Sequence, residues 1–191
     1  MPLRIVEPPL AARESLRRAL DAIVERSPGT GDLELGDLHG IYGLTVAELD
    51  AGLALDTARL LGWRCLARLR GQVVASAEVD ADDTGLAHVD QGPLARSTAG
   101  SIEEMRARPE VEQGSFEIRL LRIPALYLVA LWLKDLGGPG DLFEPLSPVG
   151  STLEEGRLYS TDELTALIRR PVAAVIPSAG AAEAGSPAHT G

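Results

Sequence analysis

Hydrophobic and polar residues alternate along two neighbouring segments of the chain, and this pattern predicts a β-hairpin. Core-type residues occupy every second position of segments 63–69 and 73–79, which is the two-residue period of a strand with one buried face. A three-residue turn at 70–72 would place Arg64 opposite Glu78 and gather the core-type residues on one face. We therefore expect the other, charged face of the hairpin to be solvated.

Helical periodicity and helix-end signals predict several helices. Segment 10–26 has an apolar stripe with arginines opposite it, which indicates an amphipathic helix. Capping boxes beginning at Thr45 and Ser160 predict two further helix starts, and Gly62 is expected to end the first of these helices. A fourth helix is expected over 93–108, because Gly92-Pro93 would begin it and Pro109 would end it.

Further strands are predicted on both sides of that last helix. Segments 86–89, 115–123 and 142–146 have the length and patterning of short strands. Segment 124–136 is apolar on both faces, so periodicity alone does not separate a central strand from a buried helix. Its aromatic and β-branched residues favour a strand, whereas its leading proline and the glycine pair after it would suit a helix. We expect a strand.

The order of these elements predicts an α+β fold, in which a mostly antiparallel sheet of about five to six strands carries helices on one face. Five glycines in segment 29–43 predict a loop or linker there. The chain is accordingly divided into an N-terminal segment, 1–35, with the amphipathic helix and a Gly-rich linker, a single α+β domain, 36–170, and an Ala/Pro/Gly-rich flexible tail, 171–191.

Charge and composition exclude several classes of function. The chain has 18 Lys+Arg against 28 Asp+Glu, a net charge of −10, whereas phosphate backbones and anionic lipids are bound by clustered cations. We therefore expect no nucleic acid and no membrane as partner. One cysteine in 191 residues excludes a disulfide framework and a thiolate zinc cluster. No signal-peptide core and no apolar run of about 20 residues is present, so we expect a cytoplasmic protein.

One turn resembles a calcium-binding loop in its spacing. Asp80, Asp82 and Thr84 occupy the first, third and fifth positions of an EF-hand pattern, with Gly85 at the sixth. The twelfth position is Gln91, where calcium requires a bidentate glutamate, and the preceding segment is a predicted strand. A solvated turn is therefore the favoured interpretation, and a cation site is the alternative.

The glycine-rich segment 31–43 contains the polar side chains best placed for a small-molecule pocket. If this segment is a loop that crosses the sheet, Glu34, Asp37, His39 and Tyr42 would be the polar contacts of the ligand. Carboxylates and a histidine could also transfer protons. The alternating Leu33 and Leu35 suggest another use, an extended segment that packs on its own sheet or on a partner. The spacing matches no metal-binding or catalytic motif, so this pocket is the alternative to the function favoured below.

The predicted N-terminal helix allows two interpretations. Its apolar residues Leu16, Leu20 and Ile23 either close the domain's own core or, if exposed, form the surface that binds a partner. The sequence lacks the glycine motifs of phosphate- and dinucleotide-binding loops and the nucleophile-elbow motif. Cys65 lies on the apolar face of the hairpin, where a thiol is usually inert.

These observations favour a non-catalytic accessory or binding protein that acts through protein–protein contacts. Its partner would be another protein or a second copy of the chain, and no cofactor is expected. The alternative is a small-molecule-binding protein or an enzyme whose pocket lies near segment 31–43.

Overall fold

An eight-stranded sheet runs through the computed structural model, which describes residues 3–26, 33–82, 88–138, 140–147 and 153–175. The strands are β1 (Leu33–Gly43), β2 (Arg59–Leu69), β3 (Gln72–Asp80), β4 (His88–Asp90), β5 (Phe116–Ile123), β6 (Leu128–Asp135), β7 (Leu142–Pro145) and β8 (Tyr159–Ser160). The helices are α1 (Leu10–Arg26), α2 (Val46–Asp50), α3 (Pro93–Arg106), α4 (Pro109–Gln113) and α5 (Thr161–Val175).

The strand order is β4-β3-β2-β1-β5-β6-β7-β8. Neighbouring strands are antiparallel except β1 and β5, which are parallel. The predicted α+β class is therefore confirmed. The predicted number of strands is too low for two reasons. Strand β1 lies in the segment interpreted as a loop, and β8 has only two residues, too few for a periodic signal.

Helices cover both faces of the sheet, so the prediction that they pack on one face is wrong. Helix α1 packs against Cys65 on one face of β2, whereas α3 packs with Leu66 on the opposite face. Successive residues of a strand point to opposite sides, and β2 therefore contributes to a core on each side. Helices α2 and α5 lie on the α1 face over β5–β7, and α4 lies beside α3.

Strand β1 is the main correction to the sequence analysis, because residues 33–43 form a strand and not a loop. It pairs with β2 on one side and, from Gly40 to Gly43, with β5 on the other. A Cβ atom at Gly43 would lie 2.9 Å from the Arg122 carbonyl oxygen on β5. Glycine there permits close approach of the two strands, so the glycine content reflects packing. Residues 29–32 of the predicted loop lie outside the described residues.

The β2–β3 hairpin has the register that its alternation predicts, with Arg64 opposite Glu78. Its turn has two residues rather than the predicted three, because Leu69 pairs with Gln72. Both turn residues have positive φ angles, as type I′ hairpin turns require. A bulge next to Ala67 absorbs the extra residue and restores the predicted pairing.

Other predictions hold in part. The capping box at Thr45 is present, but α2 ends at Asp50. Gly62 lies inside β2 and does not end a helix, because residues 59–69 pair with β1 and β3. Segment 124–136 forms a 3₁₀ turn followed by β6, which confirms the strand interpretation.

The predicted domain boundaries fall within elements of this fold. Residue 35 lies inside β1, and residues 171–175 continue α5. The rest of the predicted tail lies outside the described residues, and the three-part division stays a prediction. Among the described helices, none is long and apolar enough to cross a membrane.

Candidate functional site

The four residues predicted to line a pocket do not come together. Asp37 and His39 are buried on the α3 face of β1. Tyr42 contacts an aromatic side chain on the α5 face, and Glu34 is exposed. The alternation of side chains along a strand separates these residues, so the four side chains do not line one common pocket.

Asp37 belongs to an ionic cluster that holds α3 against the sheet. Its carboxylate accepts hydrogen bonds from Arg68 of β2 at 3.0 Å and from Arg106 of α3 at 2.5 Å. Arg68 also lies 3.3 Å from Glu103 of α3. Burial alone would raise the pKa of Asp37, but the hydrogen bonds and charges of the two arginines outweigh it and lower the pKa. Asp37 is thus an ionised anchor for α3.

A second polar cluster on the same face surrounds Arg64, whose side chain is fully buried. The guanidinium donates hydrogen bonds to Ser76 Oγ at 3.0 Å and to Thr98 Oγ1 at 3.3 Å. Its Nε lies 3.5 Å from Glu78, which also accepts two hydrogen bonds from Arg122 at 2.7 and 3.0 Å. The prediction of a solvated hairpin face is wrong, because α3 covers it.

His39 is fully buried near both clusters, and neither ring nitrogen forms a well-aligned hydrogen bond among the described residues. Burial lowers the pKa of His39 to about 3; the charge of Arg64 adds to this effect and that of Asp37 opposes it. The ring is therefore neutral at physiological pH and has no access to a ligand.

Tyr42, the fourth predicted contact, is occupied by the chain's own residues. The Arg119 guanidinium carbon lies 4.5 Å from the ring centre of Tyr42 and 4.9 Å from that of Trp132, a double cation–π arrangement. Arg119 also donates a 2.6 Å hydrogen bond to Glu117. Burial raises the pKa of Tyr42, so its hydroxyl stays protonated.

Cys65 has the properties predicted for it, whereas the predicted cation-binding loop is only partly within the described residues. Cys65 is buried, and burial raises the pKa of its thiol to about 11, in agreement with an inert core residue. Asp80 and Asp82 are exposed at the end of β3, and Thr84 lies outside the described residues. The described part of the chain contains no group of three or more His, Cys, Asp or Glu side chains that could hold a metal ion.

The apolar stripe of α1 closes the chain's own core, which is the first of its two interpretations. Leu16, Leu20 and Ile23 are 0%, 2% and 8% exposed. They pack on small residues of the hairpin such as Ala67 and Ala75, which let the helix approach the sheet closely. The prediction of a partner surface on this stripe is therefore corrected, because these side chains face inward.

The exposed flank of α1 forms a groove that sequence analysis missed. This groove, here called the α1 groove, has a volume of about 430 Å³ and lies between α1 and the first half of β1. It is lined by Leu10, Arg13, Glu14, Arg17, Arg18 and Leu35. Leu10 is 72% exposed. The arginines opposite the apolar stripe were the signal in the sequence, but without the position of β1 they indicated only a solvated face.

The arginines of the α1 groove differ from most arginines of the fold in their partners. Ion pairs with carboxylates are formed by Arg59, Arg64, Arg68, Arg106, Arg108, Arg119, Arg122 and Arg157. Among the described residues, Arg13 and Arg17 form no ion pair, and Arg18 donates a hydrogen bond to Ser15. Among the described residues of the lining, three arginines and one glutamate sum to a net charge of +2 on a chain of −10.

A second cavity of about 440 Å³ lies at the start of α5, lined in part by Asp56, Lys134, Asp141 and Asp162. Lys134 is paired with the buried Asp141 at 3.1 Å. Asp141 also accepts hydrogen bonds from the Trp132 indole and a backbone amide. The buried charge in this cavity is therefore already satisfied by the chain itself.

Comparisons with protein-family models, with curated proteins and with solved structures find no match to this chain. Of the two cavities described, the α1 groove is the one in which exposed arginines without ion-pair partners among the described residues lie beside the exposed Leu10 and the half-buried Leu35.

Proposed function

We propose that this chain is a non-catalytic binding protein that acts through contact with another protein, and that the α1 groove is its binding surface. The observation that carries this proposal is the set of arginines in the groove. In an acidic chain whose other arginines are mostly paired with carboxylates, Arg13 and Arg17 remain without ion-pair partners among the described residues. A partner would supply the missing charges.

The states of the chemically reactive side chains support a role without catalysis. Asp37 is ionised and bound by two arginines, His39 is enclosed and neutral, and Cys65 is buried with a raised pKa. A general base or nucleophile must reach its substrate. These groups do not meet that requirement in this fold.

The composition of the groove supports a protein as the ligand. Arginine is enriched at protein–protein interfaces, because its planar group combines hydrogen bonding with apolar contact. Leu10 is far more exposed than the core leucines of α1, and the half-buried Leu35 adds a second apolar side chain to the lining. A groove that combines apolar side chains with arginines has the composition of a partner-binding surface.

Affinity capture with matched variants tests this function. The tagged chain, the triple variant Arg13→Gln/Arg17→Gln/Arg18→Gln and a control variant would be compared as baits in extract of the source cells. The control, Arg70→Gln/Arg96→Gln, changes exposed arginines outside the groove that form no ion pair among the described residues. We expect a stoichiometric protein with the unmodified and control chains, and its loss from the triple variant.

Two outcomes would contradict the proposal. Equal capture of the same protein by the triple variant would place the binding surface elsewhere. The second outcome is that no stoichiometric protein is captured and that a metabolite raises the Tm of the chain. This result would favour the small-molecule alternative, because a ligand at 100 times its Kd adds about 2.7 kcal/mol of stability.

A further inference from the structure

Resting on the proposed function, we infer that the α1 groove takes an acidic segment of the partner protein in which carboxylate and apolar side chains alternate. The juxtaposition behind this inference is specific: exposed arginines on successive turns of α1 face the same groove as Leu10 and Leu35. A ligand that satisfies both kinds of lining must present negative charge and apolar surface together.

The charge of the groove selects the sign of the ligand. The described residues of its lining carry +2, whereas the whole chain carries −10, so an acidic partner is repelled by the chain as a whole and attracted only at close range. Exposed charges are screened beyond about 8 Å at physiological ionic strength. Recognition of an acidic segment is therefore confined to the groove itself.

The spacing of the arginines fits a regular segment. Arg13 and Arg17 are four residues apart on a helix, which corresponds to about 6 Å along the axis. Side chains on one face of an extended segment repeat about every 7 Å. Carboxylates at alternate positions share one face of such a segment and can therefore meet Arg13 and Arg17 on α1. The intervening apolar side chains lie on its other face and can meet Leu35 on the β1 side of the groove.

The remaining groups in the groove disfavour a polyphosphate ligand. Glu14 lies among the arginines and would repel a dense row of phosphates, whose binding requires clustered cations. The apolar side chains of the lining, Leu10 and Leu35, make no favourable contact with a polyphosphate. An anionic lipid surface and a nucleic acid are therefore outcomes of the test and not part of the inference.

Fluorescence anisotropy with defined peptides tests the inference on the full chain. The probe is a labelled ten-residue peptide of alternating Glu and Leu with blocked termini, and the two control peptides replace every Glu by Lys or every Leu by Ser. We expect the Glu/Leu peptide to bind at least tenfold more tightly than either control. The triple arginine variant should lose about tenfold in affinity, or about 1.4 kcal/mol, and Arg70→Gln/Arg96→Gln should lose nothing. Higher salt should weaken binding to the unmodified chain.

Several results would overturn the inference. One is equal binding of the Glu/Leu peptide to the unmodified chain and the triple variant. Another is tighter binding to vesicles containing anionic phospholipid, or to RNA, than to the peptide. A third is a dimer of the chain that the arginine substitutions dissociate, because the occupant would then be a second copy.

The two proposals can fail separately. If the peptide does not bind but capture of a protein still depends on the three arginines, the acidic segment is wrong and the proposed function stands. If capture does not depend on the arginines, the proposed function itself is wrong.

Discussion

Lowering the pH from 8 to 5 is expected to destabilise this fold through His39. Its pKa is about 3 in the folded chain and 6.5 under ordinary conditions, and burial is the main cause of the difference. Below pH 6.5 the unfolded chain therefore binds a proton that the folded chain does not bind. Stability is fully present above pH 6.5 and falls as the pH decreases toward 3.

The size of this effect follows from the two pKa values. Each pH unit below 6.5 costs about 1.4 kcal/mol of unfolding free energy, until the folded chain also becomes protonated. At pH 5 the loss is about 2 kcal/mol. Because domains are typically stable by about 5–15 kcal/mol, this loss is large enough to measure.

The assay is urea unfolding of three chains at pH 8, 6.5 and 5. His39→Leu removes the titrating ring, and the leucine makes no hydrogen bond where the ring nitrogens form no well-aligned one among the described residues. This variant should keep its stability at pH 8 to within about 1 kcal/mol. Its loss at pH 5 should be smaller than that of the unmodified chain by about 2 kcal/mol. The control is His88→Asn, whose ring is exposed on β4.

Parallel stability profiles for the unmodified chain and His39→Leu would refute this reasoning. Such profiles would mean that the ring is hydrated or changes its surroundings when it is protonated. A reduced pH dependence in His88→Asn would also contradict the assignment, because the effect would then belong to a different histidine.

Three further predictions concern the covered face and the core. In urea unfolding, Glu78→Gln should lower the free energy of unfolding by about 3 kcal/mol, because the buried Arg64 then loses its ion-pair carboxylate. Arg64→Met should lower it by less, because Glu78 keeps its ion pair with Arg122. Equal losses of stability in the two variants would contradict this. Gly62→Ala should lower the stability by about 2 kcal/mol, because its Cβ would collide with a backbone carbonyl of β3. Gly100→Ala, whose Cβ would point into open space on α3, should raise the stability by up to about 1 kcal/mol. Cys65, with a thiol pKa of about 11, should react with a disulfide reagent at pH 8 only after unfolding; fast reaction of the native chain would show that the thiol is accessible.

The hairpin shows what could be predicted from the sequence. Arg64 and Glu78 pair as the alternation predicts, because one register places all the core-type side chains on one face. The same alternation could not reveal that α3 covers the other face. That contact depends on Thr98 and Arg106, which are distant in sequence and carry no periodic signal for it.

The candidate site was less predictable than the fold. Segment 33–43 has the glycine content of a loop, but the close approach of β5 at Gly43 is a property of the assembled sheet. Once this segment is a strand, Asp37 and Tyr42 belong to different environments. The α1 groove requires the position of Leu35 beside the helix, and that position follows from the sheet topology.

Photo-crosslinking from position 35, in the lining of the α1 groove, tests the central claim most directly. A photoreactive phenylalanine analogue would replace Leu35 in one chain and Arg96, on the exposed side of α3, in the other, and the crosslinked peptides would be identified by mass spectrometry. The account predicts a crosslink to one protein through an acidic segment from position 35 and none from position 96. A crosslink to that protein from position 96 and not from position 35 would contradict it.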